Sequence, residues 1–235
     1  MGYLESFHAQ LEKRARGSLI SVREAEEIQP NAKKYLAQLA GKGQIEKVTW
    51  GWYWIPARYK SFFNFLAKEK HFKALQKQTA AGVWNGDFVH RDHYTVAVSD
   101  PSYARALKAF TRSRGWNLTV ETRDFASFEY VKVGELYVET LEETIVDCLK
   151  EWAFVDAFAS LYENYDSIAW NKISRHAWER IQRSNARVGQ VLRYGSSIIG
   201  QETANSGFPA TRANISDSFV RRQVDEAARK VAELG

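Results

Sequence analysis

The sequence predicts an α+β protein, an N-terminal winged helix-turn-helix followed by a mixed α/β and helical C-terminal domain. Three observations predict it. Residues 21–56 space their apolar side chains for two short helices and then for two β-prone runs. Residues 94–140 alternate short β-prone stretches with one helical stretch, the pattern of a small α/β unit. From Leu141 onward the apolar spacing is helical again.

Taken in order, residues 3–16 read as an opening helix, with Leu4, Phe7 and Leu11 inward. Lys13, Arg14 and Arg16 fall near its C-terminal end, where cations suit the helix dipole. Ser21 followed by Glu24 is an S-x-x-E capping box, in which hydroxyl and carboxylate cap each other's free backbone N–H groups, and it starts a short helix over 22–28. Pro30 interrupts that helix, because the residue before a proline is pushed out of the α region. A second helix begins at Asn31. Ala32, Tyr35, Leu36 and Leu39 form its apolar face, and Asn31, Lys33, Lys34 and Gln38 point outward. Gly41 and Gly43 end it. Residues 44–48 and 52–55 are the strands of a wing, with Thr49-Trp50-Gly51 as the turn.

Residues 58–80 read as a basic linking helix, with Phe62, Phe65, Leu66, Phe72 and Leu75 at its apolar positions. Strands are expected at 94–98, 117–122, 128–133 and 136–140, and a helix at 102–112. Thr140 with Glu143 suggests a second capping box, and further helices are expected at 168–182, 186–199 and 215–234. Residues 200–214 are polar and rich in Gly, Ser and Asn, the composition of a linker. The expected division is 1–57 winged helix, 58–80 linking helix, 81–200 C-terminal domain and 201–235 linker with terminal helix.

Charge separates the two ends of the chain. The net charge is +5 over 235 residues, which permits a nucleic-acid partner without requiring one. Residues 1–60 hold ten basic against six acidic residues, and residues 58–77 hold six basic residues against Glu69 alone. A basic first third and a slightly acidic remainder suit one DNA-facing end. No run approaches the ~20 apolar residues of a membrane helix. Residues 1–16 lack the apolar core of a signal peptide, and a single cysteine, Cys148, allows no internal disulfide, so a cytoplasmic location is expected.

Amide and basic side chains on the outer face of a second helix are what major-groove reading requires. Asn31 and Gln38 can pair bidentately with adenine, and Lys34 and Lys47 can reach phosphate. The candidate DNA-binding set is Ser21, Arg23, Asn31, Lys33, Lys34, Gln38, Lys42, Lys47 and Trp50. Asp87, His90, Asp92 and His93 have metal-ligand residue types but lack zinc-site spacing, so they read as a polar turn. Cys148 sits in an apolar helix and reads as a small hydrophobe. Glu142, Glu143 and Asp147 read as acids favoured by a helix N-terminus. No nucleophile–base constellation or phosphate-cradling Gly loop stands out, so no enzyme, cofactor or metal is expected.

KKYLAQLAGKGQIEKV followed by GWYWIP, then LEETIVD with Leu141, Thr144 and Asp147, then SNARVGQVLRYGSS with Arg193 and Gly195, together resemble the AbiEi family of antitoxins over most of residues 15–200. Trp50 departs from the basic residue that related wings offer, and the tail beyond Gly200 has no counterpart. The resemblance implies an N-terminal domain on promoter DNA, autorepression of an operon, and a C-terminal domain that counters a nucleotidyltransferase-like toxin. Two other classes stay open: a nucleic-acid-processing enzyme targeted by a winged helix, and a protein-interaction module without DNA binding. The operator and the oligomeric state, a dimer included, are not written in the sequence.

Overall fold

The structure is a computed structural model that describes residues 2–59, 61–69, 71–86, 93–181, 185–198 and 218–233. It is α+β and divides into two compact units. One comprises Met1–Ala74, Asp92–Phe125 and Gly134–Leu136, and the other Leu75–Arg91, Ala126–Val133 and Tyr137–Gly235.

The first unit opens with α1 (Tyr3–Ala15), β1 (Leu19–Ser21), α2 (Val22–Glu26), α3 (Ala32–Gly41), β2 (Glu46–Thr49) and β3 (Trp52–Trp54). Leu36 and Leu39 of α3, Phe7 and Leu11 of α1, and Ala25 of α2 are buried together with Ile20, Ile45 and Ile55. Fully burying each such aliphatic or aromatic side chain stabilises by about 1.5–3 kcal/mol, which is what holds these short helices in place. The Ser21–Glu24 capping box is formed. Ser21 Oγ accepts from Glu24 N at 3.2 Å, and Glu24 Oε2 accepts from Ser21 N at 2.9 Å. The strands pair antiparallel in the order β1-β3-β2, with Leu19 and Glu46 flanking Trp54. β1 has no counterpart among the expected strands, because three residues are too short to show alternation. Its partner is local all the same: Gly17 N donates to Ile55 O at 2.7 Å, and Ile55 N returns to Ser18 O at 3.2 Å.

The linking helix expected over 58–80 is not a single helix. The chain forms α4 (Phe62–Leu66), β4 (Phe72–Leu75) and α5 (Lys77–Trp84), whose first residue, Lys77, takes a left-handed φ of 53°. The break follows from Glu69, which is buried among apolar groups and accepts Leu19 N at 2.7 Å and Tyr103 Oη at 2.6 Å. Those bonds pull residue 69 into the core, where a continuous amphipathic helix would leave it in water.

β5 (Tyr94–Val98), α6 (Pro101–Arg112) and β6 (Leu118–Thr122) complete the first unit. β5 and β6 are parallel from Tyr94↔Leu118 to Val98↔Thr122, and parallel neighbours need a crossover, which α6 supplies. Asp100 Oδ1 caps α6 by accepting Ser102 N at 2.8 Å, and Pro101 takes the first turn, where its missing N–H costs nothing. This segment therefore groups with the N-terminal helices, whereas the expected boundary near residue 80 placed it with the C-terminal ones. The rings of Phe62, Phe65, Phe110 and Trp116 cluster at centroid distances of 4.8–6.3 Å, with Phe65 stacked on Phe110, and join α4 to α6.

In the second unit, Leu75 pairs in parallel with Val138 of β8 (Leu136–Glu139), which neighbours β7 (Tyr130–Val133). Among the described residues, five α-helices follow: α7 (Leu141–Lys150), α8 (Phe154–Glu163), α9 (Trp170–Ile181), α10 (Asn185–Ile198) and α11 (Ser218–Ala232). α7 is the axis of the group and packs on α5, α8, α9 and α10. Every residue from Leu141 to Leu149 is buried, so the acids that the sequence placed at a helix N-terminus lie inside the fold. Glu142 Oε1 accepts Ala169 N at 2.9 Å, and Glu143 Oε1 lies 3.7 Å from His176 Nδ1. With Glu143 turned toward His176, the expected Thr140–Glu143 capping box does not form, and Thr140 makes no side-chain cap bond. Cys148 is fully buried, as a small hydrophobe would be. The expected linker at 200–214 lies outside the described residues.

Candidate nucleic-acid interface

α3 is ten residues long, and its residues divide cleanly by exposure. Ala32, Leu36 and Leu39 are buried, and Tyr35 is half-buried with its ring 5.5 Å from Phe7. Lys33, Lys34 and Gln38 are exposed on the helix, and Asn31 and Lys42 are exposed at its two caps. Asn31 is the N-cap but adopts a left-handed φ of 65° and makes no side-chain cap bond, so its amide is not consumed by the helix. Asn is among the few non-glycine residues that visit this region readily.

The hairpin of β2 and β3 carries Lys47 and Trp50. Its register shifts between Lys47 and Thr49, and Gly51 turns the chain at a φ of 77°. Lys47 is exposed and Trp50 is 85% exposed, so the hairpin tip presents a cation and a bare indole. Among the described residues, none of Arg23, Lys33, Lys34, Lys42 and Lys47 has a carboxylate within ion-pair distance. Their charges are available to an external anion.

Ser21, Arg23, Lys33, Lys47 and Trp50 line one groove of about 630 Å³. Asn31, Lys34, Gln38 and Lys42 are not part of its lining. The other walls are supplied by residues that sequence spacing did not single out, among them Trp52, His71, Asp100 and Ser102. They come from three separate stretches, and only the tertiary fold brings them together. Trp52 Nε1 donates to Ser102 Oγ at 2.9 Å, and its ring meets His71 edge-on at 5.4 Å. His71 Nε2 lies 3.0 Å from Glu24 Oε1, on the same carboxylate that caps α2. The start of α2, which presents Arg23, is therefore braced from the groove wall.

Beneath this wall lies Glu69. Burial pushes its carboxyl up to about 7, against the opposing pull of the Tyr103 hydroxyl, the Leu19 N–H and the His71 ring. In the folded state the neutral acid is favoured, so its contribution to stability is fully present below the ordinary value of 4.5 and is lost as pH rises through about 7. The shift corresponds to roughly 3 kcal/mol. Glu69→Gln mimics the neutral acid and keeps an acceptor for Leu19 N. Between pH 4.5 and 8, denaturant titrations should show the variant gaining on the wild type by this order. Parallel stability profiles for the two proteins would contradict the assignment.

Among the described residues, no group of three or more His, Cys, Asp or Glu side chains is arranged to hold a metal ion. Asp87, His90 and Asp92 lie outside the described residues, and His93 is exposed with Nε2 2.8 Å from Thr119 Oγ1. No described helix is long and apolar enough to cross a membrane. No family model matches the sequence, and no curated protein matches it.

Proposed function

We propose that the first unit is a winged helix-turn-helix that binds double-stranded DNA sequence-specifically, and that the chain is a transcriptional repressor. The observation that carries this reading is the exposed set Asn31, Lys33, Lys34 and Gln38 around one face of α3, beside a hairpin tip bearing Lys47. The element order α1-β1-α2-α3-β2-β3 supports it, since this is the order a winged helix requires. Asn31 and Gln38 read base edges, and Arg23, Lys34, Lys42 and Lys47 grip phosphate. The resemblance of its motifs to those of AbiEi antitoxins extends the proposal: the chain represses its own operon in the cytoplasm, and the second unit neutralises a nucleotidyltransferase-like toxin. No catalytic role or cofactor belongs to this reading.

Binding of the full chain to its preferred duplex and to random duplex, over a salt series, separates the two roles. Asn31→Ala or Gln38→Ala should cost about 1–3 kcal/mol on the preferred site and little on random DNA. Lys34→Ala should weaken both alike and reduce the salt slope by about one. If all three variants bind as the wild type does, α3 is not the reading helix.

A further inference from the structure

We propose that the groove walled by α2, the hairpin and the start of α6 binds a single nucleotide, with the phosphate among Arg23, Lys33 and Lys47 and the unpaired base against Trp50. A volume of about 630 Å³ suits a small molecule, for which sites span about 300–1,000 Å³. It is too small a concavity to engulf a duplex, so occupation by one nucleotide is a different event from reading by α3.

Two kinds of group meet in the groove, and a nucleotide is the ligand that uses both. Arg23, Lys33 and Lys47 are exposed cations with no carboxylate partner among the described residues. Trp50 is 85% exposed and makes no ring contact among the described residues, so a flat heterocycle finds its indole unoccupied. Base-on-aromatic stacking tolerates any base, because every base has a π-face. Trp52 is only 4% exposed and is held by Ser102 and His71, which gives the groove a wall that does not have to be ordered on binding.

Three acids also line the groove and oppose a phosphate: Glu24, Glu27 and Asp100. Two of them are already engaged. Glu24 caps α2 and faces His71, and Asp100 accepts the Ser102 N–H that opens α6. Glu27 is exposed at the end of α2, where water screens it. The lining thus sets three cations against three acids, and a phosphate is held by its placement among Arg23, Lys33 and Lys47 rather than by a net positive charge.

The test is calorimetric titration of the full chain with the nucleoside 5′-monophosphates AMP, CMP, GMP and UMP. Adenosine, ribose 5-phosphate and inorganic phosphate serve as fragments. Saturable binding of the monophosphates is expected, about tenfold or more tighter than adenosine or inorganic phosphate. Trp50→Ala should weaken AMP about fivefold or more while Trp50→Phe retains most of it. Duplexes with one unpaired 5′-phosphorylated end nucleotide, set against blunt duplexes, identify the source. Preference for the unpaired end, abolished by excess AMP, assigns the groove to a strand terminus; equal binding of the two assigns it to free nucleotide. Equal affinity for AMP and inorganic phosphate would reduce the groove to a simple anion patch and overturn the proposal, as would no binding at all. Either failure leaves duplex recognition by α3 to its own test, since that is measured on blunt DNA.

Discussion

Reversing three charges together, Arg23→Glu with Lys33→Glu and Lys47→Glu, should abolish duplex binding. The three side chains lie on α2, α3 and the hairpin, and all three line the same groove. If Arg23 and Lys47 grip phosphate as proposed, their reversal removes two contacts with their counterion release, and all three reversals, Lys33 included, place a carboxylate near the DNA backbone. Two lost phosphate contacts and three new repulsions amount to a loss on the order of a thousandfold or more. Folding should be spared, because all three side chains are exposed and carry no ion pair among the described residues. Unchanged far-UV circular dichroism and Tm with binding lost is the expected result. Retention of wild-type affinity at physiological salt would move the interface elsewhere.

The second large effect is on stability. Gly195 lies in α10, and a Cβ built there would stand 2.0 Å from Cζ of Phe158, a fully buried ring on α8. Two opposing terms decide the outcome. Alanine gains about 1 kcal/mol over glycine as a helix former. Against it, overpacking a core costs typically 1–3 kcal/mol and sometimes more, and a rigid ring surrounded by buried neighbours cannot simply swing aside. Gly195→Ala should therefore destabilise the protein by about 2 kcal/mol, lowering Tm by roughly 4–8 °C. Phe158→Leu in the same chain should soften the penalty, since the pair is in contact and its effects do not add. If Gly195→Ala raises Tm instead, helix propensity has won and the close packing is not as described.

What the sequence revealed was local. Ser21 and Glu24 are three residues apart and bond as their spacing foretold, and Ala32, Leu36 and Leu39 bury as one face of α3. β5, α6 and β6 fall within a residue or two of where alternation and turn residues placed them. What it concealed depended on distant neighbours. Phe62–Leu75 has a helical apolar rhythm, yet Glu69 is drawn inward by Tyr103 and Leu19, thirty-four and fifty residues away in sequence, and the helix breaks. Glu142, Glu143 and Asp147 read as acids favoured by a helix N-terminus, but their burial comes from α5, α8, α9 and α10 packed against α7, which spacing could not show. The candidate interface was legible to the same extent. Its α3 and hairpin residues follow from periodicity, while Trp52, His71, Asp100 and Ser102 join the groove through the tertiary fold. Asn31 shows a further limit, because spacing alone placed it in the helix and its left-handed backbone puts it just outside.

Selection of the full-length protein against a pool of random duplexes at physiological salt tests the central claim most directly. The account predicts that one sequence is enriched, that it is bound about 10³-fold or more tighter than the starting pool, and that Asn31→Ala with Gln38→Ala flattens the preference. A pool that stays random through the rounds, or a preference unmoved by both substitutions, would contradict it.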